Sequence, residues 1–137
     1  MERELPDEAA TRALGAELSK RLRVGDVVFL HGELGAGKTT LVRGLLEALG
    51  HTEPVRSPTF NIVQTFETDP PVMHADLYRV ESWRGTGVED YLDSHLCLIE
   101  WPERAGGLID PDLAWHVVIK FAGAGRTALV RPPQRAY

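Results

Sequence analysis

The spacing of apolar residues changes several times along the chain, and each change marks an element. Ala10, Leu14, Leu18 and Leu22 recur every four residues, which predicts an amphipathic helix over 6–22. Pro6 suits its first turn, and Asp7 and Glu8 favour the positive end of its dipole. Gly25-Asp26 breaks the pattern. Val27 to Leu30 is then a continuous apolar run, as expected of a strand buried on both faces. Glycines follow from Gly32 to Gly37. Leu41, Leu45 and Leu49 mark a second helix over 39–49, with Gly50 as its stop. Thr59 to Phe66 alternates and predicts a strand, ended by Asp69-Pro70-Pro71. Val72 to Asp76 and Leu96 to Ile99 are further strands, with a short helix near 88–92 between them. Trp115, Val117, Ile119 and Phe121 alternate, and Thr127 to Val130 returns after a turn at 122–125.

Composition narrows this picture. The 137 residues suit one domain, expected over 1–131, with a loose tail over 132–137 after Pro132-Pro133. Fifteen Lys and Arg against 20 Asp and Glu give a net charge of −5. That balance argues against a surface that tracks a nucleic-acid backbone, which needs clustered cations. The single cysteine, Cys97, excludes a disulfide framework and a multi-cysteine zinc site, and fits a buried small apolar residue. The N-terminus is too polar for a signal peptide, and no apolar run is long enough for a bilayer. The expected setting is the reducing cytoplasm.

Gly32-Glu33-Leu34-Gly35-Ala36-Gly37-Lys38-Thr39 fits the phosphate-loop pattern G-x-x-x-x-G-K-S/T without a mismatch. An apolar strand precedes it and an amphipathic helix follows, the context that the pattern requires. Glycines allow positive φ and bring several N–H groups to one phosphate. The helix start adds its dipole, Lys38 a mobile charge for the β- and γ-phosphates, and Thr39 a hydroxyl for Mg²⁺. The order of elements then predicts an α/β fold of the P-loop NTPase type. Its three layers would hold a mixed, partly parallel central sheet ending in an antiparallel hairpin.

Such a site also needs a carboxylate for the metal. Two are candidates: Glu100, after Leu96-Cys97-Leu98-Ile99, and Asp76, after Val72-Met73-His74-Ala75. Both fall at the carboxyl ends of strands, where ligands bind in open α/β sheets. His31 and His74 have no obvious catalytic partner in the sequence and are expected to pack or hydrogen-bond.

Four segments in order resemble the TsaE (YjeE) family, the small ATPases of bacterial tRNA threonylcarbamoyladenosine synthesis. They are Gly32 to Thr40, Ser57-Pro58-Thr59-Phe60, His74-Ala75-Asp76-Leu77-Tyr78-Arg79 and Ile99-Glu100-Trp101. The resemblance spans nearly the whole chain, and the last three segments are far more specific than the glycine loop. It implies ATP and Mg²⁺ as ligands. It implies that Thr59 meets the γ-phosphate or its metal, that Glu100 is the Mg²⁺-linked acid with Thr39, and that Asp76 serves hydrolysis by orienting water or through the metal. Thr40 and Thr11 join the nucleotide site, with Thr11 near the adenine. Trp101 lies beside the site, either as a nucleotide contact or as a packed aromatic. The implied partners are TsaB and TsaD, where TsaD performs the carbamoyl transfer, with tRNA reached only indirectly and no membrane. The implied hydrolysis is slow without partners.

Two other functions fit a glycine loop. A small-molecule kinase needs an acceptor lid, for which only the insertion from Glu81 to His95 is available. A GTPase-like switch normally carries an Asn-Lys-x-Asp segment, and no Asn-Lys pair occurs in the chain.

Overall fold

The computed structural model describes residues 1–54 and 62–135. Seven strands form one sheet: β1 (Glu2–Leu5), β2 (Val27–His31), β3 (Val63–Phe66), β4 (Val72–Asp76), β5 (Leu96–Glu100), β6 (Trp115–Ala122) and β7 (Gly125–Arg131). Their order is β1-β7-β6-β2-β5-β4-β3. The centre is parallel, with β2 between β5 and β6, and β4 beside β5. The margins are antiparallel: β3 on β4, β7 on β6 and β1 on β7. The mixed sheet and the closing hairpin are as predicted.

Side chains alternate across the central strands, so each β2 residue serves one of two cores. Val28 and Leu30 face α1 (Glu8–Ser19) and α2 (Lys38–Ala48), packing with Leu14, Leu18, Leu41 and Leu45. Val27 and Phe29 face the other side with Met73, Ala75, Cys97 and Ile99. That second face is covered by irregular chain with 3₁₀ turns at Val88–Tyr91, Pro102–Arg104 and Pro111–Leu113. The third layer is therefore coil and single turns.

The helix ends follow their capping groups. Asp7 accepts from the Ala10 amide at 2.8 Å and is the N-cap of α1, so Pro6 lies before the cap. The helix stops at Ser19, short of the predicted 22. The amides of Arg21 and Leu22 both donate to Leu18 O, at 2.9 and 3.2 Å, and this tightened turn keeps Leu22 buried. Helix α2 ends as expected at Gly50, with φ +96°. Gly50 N–H donates to Glu47 O at 3.1 Å and His51 N–H to Leu46 O at 2.9 Å, the paired bonds of a Schellman motif.

The two helices touch backbone to backbone. A Cβ on Gly15 would lie 2.2 Å from Leu41 O, and one on Gly44 2.2 Å from Arg12 O. Glycine inside a helix costs about 1 kcal/mol relative to alanine, and here close approach offsets it.

Strand β1 is absent from the sequence prediction. It is a four-residue edge strand in which only Leu5 is buried, so it carries no readable period. It is held by its ladder to β7 and by the Met1 amino group on Val130 O at 2.9 Å. Of the strand predicted over 59–66, the ladder begins at Val63; residues 59–61 lie outside the described segment. After β7, the amides of Gln134 and Arg135 donate to Asp112 O at 2.8 and 3.1 Å. Among the described residues no helix is long and apolar enough to cross a membrane.

Candidate active site

The glycine loop joins the C-terminal end of β2 to α2, at the middle of the sheet. Gly35 and Gly37 take φ of +78° and +110°, which strain any residue with a Cβ. A Cβ on Gly32 would meet Ile119 O at 2.9 Å. Gly37 is the N-cap of α2 and, being a glycine, offers no side-chain cap of its own. The first turn of α2 carries no acidic residue, so the positive end of the helix dipole faces the loop.

Lys38 is buried beside this loop. Its Nζ donates to Gly32 O at 2.6 Å, lies 3.8 Å from Glu100 Oε1 and sits 4.2 Å from the centre of the Trp101 ring. Burial lowers its pKa from the usual lysine value, while Glu100 and Asp76 pull it back up. The ammonium is thus held by carbonyl, carboxylate and ring, and not by bulk water.

Glu100 ends β5 and is only 3% exposed. Its Oε2 is 2.6 Å from His74 Nε2 on β4. An ionised carboxylate only accepts, so the hydrogen-bond geometry assigns the proton of this contact to Nε2. His74 Nδ1 is buried and without a hydrogen-bond partner among the described residues. Asp76 stands opposite Glu100 in the β4–β5 register. It is half-buried, and its Oδ1 accepts from the Tyr78 amide at 3.0 Å. Burial raises its pKa above the usual carboxylate value; the Tyr78 bond opposes this and the Glu100 charge adds to it.

Trp101 is the only non-glycine with positive φ among the described residues, at +62°. Such a conformation costs on the order of 1–3 kcal/mol and gathers at functional sites. Its ring lies 4.8 Å from that of Tyr78 and beneath Lys38. It is both a packed aromatic and a contact of the site lysine.

The structure thus gathers the contiguous run Gly32, Glu33, Leu34, Gly35, Ala36, Gly37, Lys38, Thr39 and Thr40 with Glu100 and Asp76. Thr39 and Thr40 stand in the first turn of α2. Thr11, buried on α1, borders a cavity of about 180 Å³ shared with Gly37, Thr40 and Arg126. A second cavity of about 510 Å³ lies between Gly32, Trp101, Ile119, Lys120 and Phe121. Thr59, with Ser57, Pro58 and Phe60, lies outside the described residues. His31 hydrogen-bonds to His116 at 3.0 Å, and burial lowers its pKa. Cys97 is buried in β5 and its thiol is pushed up to about 12.

Sequence reasoning missed two contacts. The His74–Glu100 pair had a faint signal, because His74 sits two residues before Asp76 on one face of β4. Arg126 had none. It reaches from β7 to the glycine loop, donating to Ala36 O and Gly35 O, each at 3.2 Å.

A strand–glycine loop–helix unit at the centre of a mixed sheet, with a buried lysine and two strand-end carboxylates beside it, defines an α/β fold of the P-loop NTPase type. The chain belongs to the TsaE family: the family model "Threonylcarbamoyl adenosine biosynthesis protein TsaE" matches residues 5–129. A relative from Nostoc, a "tRNA threonylcarbamoyladenosine biosynthesis protein TsaE", is 42% identical over 137 aligned residues, covering 93% of this chain and 83% of its own. One of the same description from Haemophilus influenzae is 38% identical over 115 residues, covering 77% and 73%. The crystal structure of Bacillus subtilis YdiB superimposes with a TM-score of 0.81 at 28% identity, covering 97% of this chain and 85% of that one.

Proposed function

We propose that this protein binds ATP with Mg²⁺ on the loop from Gly32 to Thr39 and hydrolyses it slowly. In this reading it is a cytoplasmic accessory ATPase of tRNA threonylcarbamoyladenosine formation that acts with TsaB and TsaD and meets tRNA only through them. The observation that carries the reading is Lys38, buried and 3.8 Å from Glu100, at the start of a helix whose N-cap is a glycine of the loop. A cation held at low hydration next to the N-terminal amides of a helix favours a multiply charged phosphate chain.

The residues fit the expected metal. Mg²⁺ takes oxygen ligands and is usually held by one or two carboxylates plus substrate phosphates. Among the described residues no group of three or more His, Cys, Asp and Glu forms a closed cage. Thr39 and Glu100 are the proposed protein ligands. When bound, the metal supplies Lewis acidity and neutralises charge on the phosphates. The chain's own residues do the rest. Loop amides hold the phosphates, Lys38 leaves Gly32 O for phosphate oxygens, and His74 fixes the Glu100 carboxylate. Asp76 orients the attacking water or acts through the metal, and Thr59 is assigned to the γ-phosphate or its metal.

Slow hydrolysis accords with the placement of arginine. Arg126 touches the loop, but through carbonyls on its backbone side, so it is not directed at the carboxylate pair. In this reading a stabilising cation for the transition state is supplied by a partner. The kinase alternative is disfavoured by residues 81–95. Val88 is buried in the second core with Trp83 and Tyr91 packed around it, and Trp83 Nε1 donates to Gly106 O at 2.8 Å. That segment covers the sheet and is not available as a lid. Incubation with Mg·ATP and a panel of nucleosides tests the choice. Free phosphate is expected, and a phosphorylated nucleoside as the main product would contradict it.

A further inference from the structure

We infer that Arg126 is a positioning residue that sets the peptide planes of the phosphate loop for a triphosphate. This rests on the nucleotide-binding reading above. Arg126 lies on β7 opposite Leu5 of β1 and Phe121 of β6. Its Nε donates to Ala36 O and its Nη2 to Gly35 O, both at 3.2 Å, while Nη1 donates to Gly125 O at 3.0 Å. The guanidinium carbon lies 4.3 Å from the centre of the Phe121 ring. A planar fork held by three carbonyls and a ring has little rotational freedom.

Among the described residues the loop tip has few other restraints. A Cβ on Gly35 would meet nothing within 4 Å, and Leu34 is 59% exposed. Within the loop, the Ala36 amide donates to Glu33 O at 3.1 Å. Because the peptide unit is planar and trans, a carbonyl turned toward Arg126 turns the following N–H the opposite way. Holding Ala36 O therefore directs the Gly37 N–H away from Arg126. A charged donor on a carbonyl also polarises that peptide and strengthens its N–H as a donor. The arginine thus acts on phosphate affinity through backbone carbonyls, without itself being required to touch phosphate.

The test compares wild type, Arg126→Met and Arg126→Lys by calorimetric titration with Mg·ATP and with inorganic tripolyphosphate, which has no base or ribose. Melting temperatures are measured in parallel. Arg126→Met is expected to weaken both ligands by the same factor, about tenfold, as for loss of charge-assisted hydrogen bonds. Melting should stay within a few degrees of wild type. Arg126→Lys should recover part of the affinity for both, since an ammonium can donate to one carbonyl. Unchanged tripolyphosphate binding would overturn the inference, and a loss confined to ATP would place Arg126 on base or ribose instead. A loss explained by a smaller folded fraction would overturn it as well. If wild type binds neither ligand, the nucleotide reading itself fails; if wild type and Arg126→Met bind both equally, only the role of Arg126 falls.

Discussion

Replacing Glu100 by Gln keeps the volume and removes one charge from a pair of side chains that are 5% and 4% exposed. Lys38 then keeps Gly32 O at 2.6 Å, the Trp101 ring at 4.2 Å and the more distant charges of Asp76 and Glu103. Breaking a fully buried ion pair by removing one partner costs about 3–5 kcal/mol. Here the charges are 3.8 Å apart and not in tight contact, and the carbonyl and ring still solvate the ammonium, so about 2 kcal/mol is expected. His74 can re-pair with the new amide by exchanging tautomers, so its contribution is small. For a chain of this length that corresponds to a fall of about 8 °C in melting temperature. The assay is urea unfolding of wild type, Glu100→Gln, Lys38→Met and the double variant. The two substitutions should couple by at least about 1 kcal/mol, because the neutral amide of Glu100→Gln strands no charge once Lys38 is gone. Additivity within about 0.5 kcal/mol would refute the claim that the two groups neutralise each other in the folded protein.

Further outcomes follow from the same geometry. Gly44→Ala places a Cβ 2.2 Å from Arg12 O and must part the helices, so a loss of about 3 kcal/mol is expected by urea unfolding. Gly106→Ala, where a Cβ meets nothing within 4 Å, should stay within about 0.5 kcal/mol, and equal losses at both sites would contradict the packing argument. Asp76 has its pKa raised by burial, so the folded state favours its protonated form. Its contribution to stability is present below the ordinary value of 3.8 and is lost as pH rises through the raised folded value. Asp76→Asn should therefore be the more stable protein at pH 7, with an advantage that vanishes as pH falls below 3.8. An equal advantage in acid and at neutrality, read from melting curves, would contradict the assignment.

The legible parts of this molecule were those in which neighbouring residues say the same thing. Val27 to Leu30, the glycines and Lys38-Thr39 form one continuous statement of strand, loop and helix, and β2 and α2 stand where it put them. Glu100 and Asp76 could be found because each ends an apolar run, and the parallel register of β4 and β5 then sets them side by side. Strand β1 could not be found, because one buried side chain in four residues makes no pattern. Gly15 and Gly44 carry no sequence signal of their own and are where the helices meet. Arg126 was invisible for a different reason. Its partners lie some 90 positions away, and only the β6–β7 hairpin and the sheet order bring it to the loop. Local chemistry was thus readable, while contacts that depend on strand order were not.

The most direct test of the central claim is phosphate release from Mg·ATP by the protein alone and with the TsaB–TsaD pair, with Lys38→Ala as the control. Slow release alone, a clear rise with the partners and loss of both in Lys38→Ala are expected. Release that is fast alone and indifferent to the partners would contradict the accessory role. Its absence under both conditions would contradict the ATPase reading itself.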